Sequence, residues 1–241
     1  MPRFFVDCVA GSTAALYGEN AVHAAKSLRM RVGEELVLCD RDGIDHHCRI
    51  TSISADAVSV TVQRSVPNTA ELACPVSLYV AMPKGDKLEQ IVQKAVELGV
   101  HDITPVLTAR CVSRPDPKSM AKRTERLCRI ALEAAKQCGR GRVPVVHELI
   151  SFEHALERMR CASVAMLCYE KGGKRIESLI RPRQEGAIAV MTGSEGGFSP
   201  EEADRAAAAG ALPVTLGARI LRAETAPLYV LSVLGHLLEG Q

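Results

Sequence analysis

The stretch best suited to binding a ligand is glycine-rich and spans residues 192–200, TGSEGGFSP. Its three glycines, Gly193, Gly196 and Gly197, permit left-handed backbone conformations that can turn N–H groups into a concave ligand site. The stretch lacks the Gly-Lys-Ser/Thr of a P-loop and the spacing of the dinucleotide-binding fingerprint. We therefore predict a ligand-binding loop here, and a purely structural turn is the alternative.

A second stretch, residues 216–226 with the sequence LGARILRAETA, gathers charged and polar side chains between a predicted strand and a predicted helix. Arg219, Arg222, Glu224 and Thr225 follow the carboxyl end of the strand, where open α/β sheets bind ligands. The alternative is an ordinary helix N-terminus with Glu224 favourably placed near the helix dipole. Two such loops at adjacent strand ends favour a shared pocket.

The elements that must position these loops alternate between strand and helix from residue 74 onward, which is typical of an α/β domain. Two helix starts carry capping-box patterns, Asp86 with Glu89 and Ser199 with Glu202. The apolar pattern predicts strands over 76–82, 103–107, 143–146, 163–168, 187–192 and 214–216. It predicts helices over 86–98, 119–138, 152–159 and 224–238, with one more starting at 199.

The first 70 residues are rich in turn signals and short strands, which favours a small β-barrel. Strands are predicted over 35–39, 47–53 and 57–63, a helix over 23–30, and a linker over 65–70. The predicted domains are therefore 1–70 and 74–241.

Composition bounds the class of protein. The chain has 241 residues, 47% of them hydrophobic, which excludes wholesale disorder. The longest apolar run, 228–238, is too short for a membrane span, and the start carries no signal-peptide pattern. Nine cysteines without a CxxC pair favour a reducing compartment, so we expect a cytoplasmic protein. His46, His47 and Cys48 are adjacent on a predicted strand and cannot converge on one ion, so no metal is expected.

The net charge of +2 hides a basic segment. Residues 110–142 carry ten Lys and Arg against three Asp and Glu, a local net of +7. Such a run is either a solvated helix face or a contact for phosphates, and the sequence leaves both interpretations open.

The two loops resemble the signature of bacterial small-subunit rRNA (uracil-N3)-methyltransferases of the SPOUT superfamily. Four further stretches match that family in order, so the resemblance covers nearly the whole chain. They are 1–5 (MPRFF), 83–89 (PKGDKLE), 91–99 (IVQKAVELG) and 134–140 (AAKQCGR). The chain departs from the family at Ser194, where proline is usual, at Lys136, where many members have glutamate, and at Gln90, which replaces an aromatic residue.

The resemblance implies an N-terminal PUA-like β-barrel that binds RNA. It also implies a C-terminal α/β domain of SPOUT type, with a parallel sheet and a deep trefoil knot. The implied cofactor is S-adenosylmethionine. The implied substrate is N3 of a uridine in the decoding region of 16S rRNA, within the small ribosomal subunit, and the implied assembly is a homodimer.

Site residues are carried over by position. The implied cofactor-binding residues are Leu167, Thr192, Gly193, Gly196, Gly197, Leu216, Gly217, Ile220 and Leu221. The expected RNA-binding residues are Arg3, Arg29, Lys84, Arg110, Arg126 and Arg140. Because N3 must lose a proton before it attacks a methyl group, Arg222 is expected to stabilise charge on the uracil carbonyls. Glu224 or Glu195 would take the proton or orient Arg222.

Three alternatives stay open on sequence alone. The chain could be a SPOUT methyltransferase acting on another RNA position, since the cofactor loops do not separate these. It could be a non-catalytic RNA-binding or assembly protein, against which the intact glycines and residues 222–225 count. A nucleotide-binding protein is the third, and it lacks the Lys and Thr that phosphate loops use.

Overall fold

The structure is a computed structural model that describes residues 1–181 and 184–239. It divides into two compact units. The N-terminal unit comprises Met1–Glu71 and Ala135–Val143, and the C-terminal unit comprises Leu72–Ala134 and Pro144–Gln241. The segment Ala135–Val143 therefore packs with the first 71 residues, although it comes late in the sequence. The domain boundaries expected from the sequence, 1–70 and 74–241, stay a prediction.

The N-terminal unit is built on one five-stranded, curled sheet with the strand order β1-β3-β4-β5-β2. Its strands are β1 (Arg3–Phe5), β2 (Thr13–Tyr17), β3 (Glu35–Cys39), β4 (Ile44–Ile53) and β5 (Ala57–Pro67). One helix, α1 (Gly18–Val22), continues as a π-helical turn, His23–Ser27. The prediction of a helix over 23–30 was wrong in its start, and the predicted linker over 65–70 begins too early because β5 runs on to Pro67.

One face of this sheet encloses an apolar core. Phe4, Leu16, Leu36 and Leu38 are almost completely buried there, and Ile50 joins them from β4. Alternate residues of each strand point to opposite faces, so the sequence alternation places these side chains inward. The barrel-like arrangement predicted from the short strands is confirmed.

The C-terminal unit contains an eight-stranded sheet with helices between its strands. Its strands are β6 (Val76–Ala81), β7 (Asp102–Leu107), β8 (Val145–Val146), β9 (Ile150–Ser151), β10 (Val164–Cys168), β11 (Lys174–Arg175), β12 (Ile188–Thr192) and β13 (Leu212–Thr215). Its helices are α2 (Lys87–Glu97), α3 (Pro117–Cys138, whose last four residues pack with the N-terminal unit), α4 (Phe152–Met159), α5 (Pro200–Ala208) and α6 (Thr225–Glu239).

All pairings in this sheet are parallel, and the order is β11-β13-β10-β12-β6-β7-β8, with β9 on β7. The α/β fold class with a parallel sheet is therefore confirmed. The three neighbours β13, β10 and β12 end together, because carboxyl ends of parallel strands share one edge. The trefoil knot implied by the resemblance stays a prediction.

The two predicted capping boxes have different outcomes. Ser199 Oγ accepts a hydrogen bond from the Glu202 N–H, and the Glu202 carboxylate accepts one from the Ser199 N–H, so this box is confirmed. Asp86 caps α2 without any side-chain hydrogen bond, so the other box was wrong. Glu89 turns instead to Arg123, whose guanidinium binds both of its carboxylate oxygens at 2.7 and 3.2 Å.

Within the described ranges, no helix is both long enough and apolar enough to cross a membrane.

Candidate active site in the C-terminal unit

A cavity of about 510 Å³ opens at the carboxyl ends of β10, β12 and β13. Both loops singled out in the sequence line it, as does the end of β10. The predicted residues that line it are Gly193, Gly196, Gly197, Leu216, Gly217, Ile220, Leu221 and Arg222. The volume lies within the range of small-molecule sites. The two loops therefore share one pocket.

The glycine-rich loop is a tight turn anchored in the core. The Gly197 N–H donates to the Ser194 carbonyl at 2.9 Å, and Gly197 has a φ of +62°, which disfavours a side chain there. Phe198 is fully buried, with its ring centroid 6.3 Å from that of Phe152. The buried aromatic ring fixes the end of the loop, so that the glycines before it are held at the cavity.

The glycines also allow the loop backbone to lie close to Arg110 and Glu170. A Cβ at Gly196 would lie 2.9 Å from Arg110 Cβ, and a Cβ at Gly197 would lie 2.9 Å from the Glu170 carboxylate. Arg110 Nη1 donates to the Gly196 carbonyl at 3.0 Å. Arg110 was expected to bind RNA, and in the structure it supports the loop.

The two loops are joined through Lys87, which the sequence analysis did not assign to the site. Its ammonium lies 2.9 Å from Glu195 of the glycine-rich loop and 3.0 Å from Glu224 of the second loop. The Lys84 N–H donates to the same Glu195 oxygen at 3.2 Å. Lys87 stands at the start of α2, so the segment after β6 holds both loops in place.

This ion pairing sets the charge of the three groups. Burial raises the pKa of Glu195, but hydrogen bonds from Lys87 and backbone N–H groups outweigh it, so the net pKa lies below the usual value. A backbone hydrogen bond and then the Lys87 ammonium lower the pKa of Glu224. The two carboxylates in turn raise the pKa of Lys87. All three groups are therefore charged near neutral pH.

Not every predicted cofactor residue reaches the cavity. Leu167 and Thr192 are fully buried at the ends of β10 and β12, one layer behind the lining. Thr192 Oγ1 and Ser194 Oγ are buried, and neither hydroxyl has a hydrogen-bond partner in the described part of the chain. Ser194 lines the cavity, so its hydroxyl is a hydrogen-bonding group held ready for a ligand.

Several lining residues were missed by the sequence analysis. Cys168, Tyr169 and Glu170 follow β10, and Thr215 ends β13. Burial raises the pKa of the Cys168 thiol to about 12, so this thiol is neutral and unreactive. Tyr169 and Glu170 could have been found from their position directly after β10, a buried strand that lies between β12 and β13, the strands that precede the two loops.

Comparison with known proteins decides the family. Residues 70–235 match the family described as RNA methyltransferase domain, and residues 16–63 match the RNA methyltransferase PUA domain. The chain is 35% identical to ribosomal RNA small subunit methyltransferase E of Bacillus subtilis (strain 168), over 99% of this chain and 98% of that protein. This chain belongs to the ribosomal RNA small subunit methyltransferase E family.

Two further members extend the comparison. The family member of Mycobacterium tuberculosis is 31% identical, over 97% of this chain and 91% of that protein. The crystal structure of the Neisseria gonorrhoeae member, bound to S-adenosyl methionine, superposes with a TM-score of 0.88 at 32% identity, covering 98% of both chains. The family assigned by resemblance is confirmed.

The six arginine and lysine residues expected to bind RNA fall into two groups. Arg3 and Arg140 are turned inward in the N-terminal unit, where Arg3 binds both oxygens of Asp45 and Arg140 binds Glu71. Their side chains are 10% and 3% exposed, so the geometry gives both a structural role. The other four are exposed: Arg29, Lys84, Arg110 and Arg126.

Helix α3 carries exposed basic residues besides Arg126 that were not among the six predicted to bind RNA. Lys118, Lys122, Arg126 and Arg129 are all exposed. Their spacing of three and four residues puts them on one face of the helix. Of the four, Arg126 approaches an acidic group, with its guanidinium 3.8 Å from Glu89. We call these four residues the basic face of α3.

Proposed function

We propose that this chain transfers the methyl group of S-adenosylmethionine to N3 of a uridine in the decoding region of 16S rRNA. It would act on the small ribosomal subunit. Membership of the ribosomal RNA small subunit methyltransferase E family supports methylation of small-subunit rRNA, and the cofactor bound by the Neisseria gonorrhoeae member supports the methyl donor. The choice of N3 rests on the resemblance of both loops to the uracil-N3 enzymes.

The observation that carries the proposal is the polar lining of the cavity. Ser194 Oγ is buried without a partner, and Gly197 brings its backbone against the Glu170 carboxylate. A cofactor with hydroxyl, ammonium and adenine groups can satisfy such a hydroxyl and such a carboxylate. The residues therefore fit the cofactor, and Gly193, Gly196, Leu216 and the residues after Leu216 line the cavity that would hold it. When bound, S-adenosylmethionine supplies an electrophilic methyl group on a sulfonium centre.

Arg222 carries the chemistry at uracil in this proposal. N3 of uracil is an imide nitrogen, and its proton must leave before its lone pair can attack. The negative charge that develops spreads onto the neighbouring carbonyl oxygens, which the guanidinium of Arg222 stabilises from the cavity wall. The Arg222 side chain is exposed, so it can reach an incoming base.

Glu224 interacts with Arg222 through its charge and does not take the proton. Its carboxylate is bound to Lys87 at 3.0 Å, and its pKa is lowered by a backbone hydrogen bond and then by Lys87. A general base works best with a pKa close to the working pH, which a carboxylate held in this way does not have. The charge of Arg222 acts on Glu224 as well, which places the two groups in one electrostatic unit. The N3 proton then passes to water at the cavity mouth.

The basic face of α3 supplies phosphate contacts in this proposal. Few aromatic side chains are available for stacking, since the chain has four Phe, four Tyr and no Trp. Binding would therefore depend on ionic contacts and fall as salt rises. N3 lies on the Watson–Crick edge, so the target uridine must be unpaired when it reaches Arg222.

We also propose a homodimer in a reducing compartment such as the cytoplasm. Ile220 and Tyr229 are large apolar side chains that are 86% and 40% exposed in the single chain, and a second copy would cover such residues. None of the nine cysteines, all of them within the described residues, is in a disulfide, in keeping with a compartment that holds thiols reduced.

The experiment that tests the proposal compares wild type with Arg222→Ala on purified small subunits and a labelled methyl donor. The wild type transfers one methyl group to a uridine of 16S rRNA, and the variant is about 10²- to 10³-fold slower, the usual cost of losing one charge-stabilising donor. Its affinity for the cofactor stays close to that of the wild type. Arg160→Ala removes an exposed arginine outside the cavity and serves as the control. Near-normal transfer by Arg222→Ala would remove this residue from the mechanism.

A further inference from the structure

The N-terminal unit has a cavity of its own, of about 580 Å³. Residues of both β1 and β2 line it: Phe5 comes from β1, and Ala15, Leu16 and Tyr17 come from β2. These two strands are the opposite edges of the five-stranded sheet. The sheet therefore curls until its edges face each other across the cavity, and the barrel is left open along this seam.

The open seam offers hydrogen-bonding groups to a ligand. An edge strand keeps a row of backbone N–H and C=O groups that point away from its single partner strand. At the seam, Asn20 Nδ2 donates a hydrogen bond to the Phe5 carbonyl at 3.4 Å. The carboxamide of Asn20 has acceptor as well as donor groups, which matches the edge of a nucleobase.

Tyr17 provides a stacking surface at the rim. It is the last residue of β2 and its side chain is 70% exposed, although the rest of the molecule has few aromatic residues. An exposed aromatic ring beside a cavity whose lining includes Phe5, Val6 and Leu16 is suited to a flat, partly apolar group. A nucleobase is such a group.

Two guanidinium groups and two carboxylates line the rim of the cavity. Arg41 and Arg142 both line the cavity, and Arg41 is paired with the exposed Asp7 at 2.5 Å. Asp40 also lines it, but its two oxygens are occupied by backbone N–H groups and by His46 Nε2 at 2.9 Å. Guanidinium groups beside a stacking ring are the usual means of holding a phosphate next to a bound base.

We propose that this seam cavity is a second RNA subsite, which takes one unstacked nucleotide of the substrate RNA. The base stacks on Tyr17 and meets Asn20 and the strand edges, while its phosphate lies against Arg41 and Arg142. The proposal rests on the proposed function, because it is the match of residues 16–63 to an RNA methyltransferase PUA domain that makes RNA the occupant. The subsite binds RNA without taking part in methyl transfer.

The absence of tryptophan from the chain allows a direct test. Tyr17→Trp gives a full-length protein with a single tryptophan at the proposed stacking position. A short oligouridylate should quench its fluorescence in a saturable manner, because stacking on a base quenches indole emission. Val32→Trp is the matched control, since Val32 is 61% exposed in the same unit and does not line the cavity. Absence of saturable quenching in Tyr17→Trp, or equal quenching in both proteins, would overturn the proposal.

A second measurement uses the RNA affinity of full-length protein. Tyr17→Ala should bind a 16S rRNA fragment about 5- to 100-fold more weakly than wild type, and Tyr17→Phe should bind it nearly as well as wild type. Cofactor affinity should be unchanged in both variants. Wild-type RNA affinity in Tyr17→Ala would contradict the subsite and leave the proposed function standing. Saturable quenching in a protein that makes no N3-methyluridine would support the subsite and contradict the proposed function.

Discussion

Gly196→Ala is the substitution whose effect the structure defines most closely. The Gly196 backbone is outside the left-handed region, so alanine meets no conformational strain there. Its Cβ would instead lie 2.9 Å from Arg110 Cβ and 3.2 Å from the Arg110 carbonyl oxygen. These atoms belong to the backbone or are bonded directly to it, so a side-chain rotation cannot relieve the contact.

The cost of this contact is that of overpacking, about 1–3 kcal/mol. If the loop stays in place, the cost falls on the stability of the fold and lowers Tm by about 2–12 °C for a chain of this size. If the loop moves away from Arg110, the cost falls on the cofactor cavity and weakens binding by about 5- to 150-fold. The free energy lost from folding and the free energy lost from cofactor binding should together equal the overpacking cost of about 1–3 kcal/mol.

The assay is a thermal unfolding curve for the free protein together with calorimetric titration of S-adenosylmethionine. The matched pair of second-site changes is Arg110→Gly and Arg110→Ala in the Gly196→Ala background. Both remove the hydrogen bond from Arg110 Nη1 to the Gly196 carbonyl, but only Arg110→Gly removes the Cβ. We expect Arg110→Gly to restore part of the loss and Arg110→Ala to restore none. Wild-type Tm and wild-type cofactor affinity in Gly196→Ala would refute the reasoning.

Three further substitutions test the arrangement around the cavity. In Lys87→Met the lowered pKa values of Glu195 and Glu224 rise. In the wild type the two carboxylates stabilise the fold above their ordinary pKa of 4.5, and the Lys87 ammonium does so below 10.5. The wild type should therefore have a higher Tm than the variant between about pH 4.5 and 10.5, and the difference should vanish in acid. A Tm difference that persists unchanged at low pH would show that the ion pairs do not cause it. Ser194→Ala should bind the cofactor about 2- to 12-fold more weakly without any loss of Tm, because the hydroxyl has no partner within the described residues; a fall in Tm would contradict this. Glu202→Ala should lose about 2–4 kcal/mol in a denaturant titration, since it removes the carboxylate that accepts from the Ser199 N–H and from the Ala109 N–H. A loss below about 0.5 kcal/mol would argue against both bonds.

The parts of the fold that the sequence predicted well are those with a strong local signal. Helix α4 was predicted with its observed bounds, and the start of α5 was predicted from Ser199 and Glu202, because apolar periodicity and capping are local properties. The alternation of strands and helices likewise predicted the parallel sheet. Edge strands β1 and β2 were not predicted, because three to five residues without a clear alternation carry little signal.

The site was predicted only where residues adjacent in sequence are also adjacent in space. The two loops were found because their glycines and charges are clustered. Lys87 was missed because its partners, Glu195 and Glu224, are more than 100 residues away along the chain. The capping box at Asp86 was wrong for a related reason: Glu89 has a better partner in Arg123, which only tertiary packing brings near. Arg3 shows the same effect, since Asp45 binds a residue expected to contact RNA.

The central claim is that this chain methylates N3 of a uridine in the decoding region of 16S rRNA. The most direct measurement is mass-spectrometric mapping of N3-methyluridine in 16S rRNA from a bacterial strain that lacks its own family member and carries either this chain or its Arg222→Ala variant. The account predicts that the wild-type chain restores N3-methyluridine at one position in the decoding region and that the variant does not. Absence of the modification with the wild-type chain, or a methyl group on another atom or at another site, would contradict it.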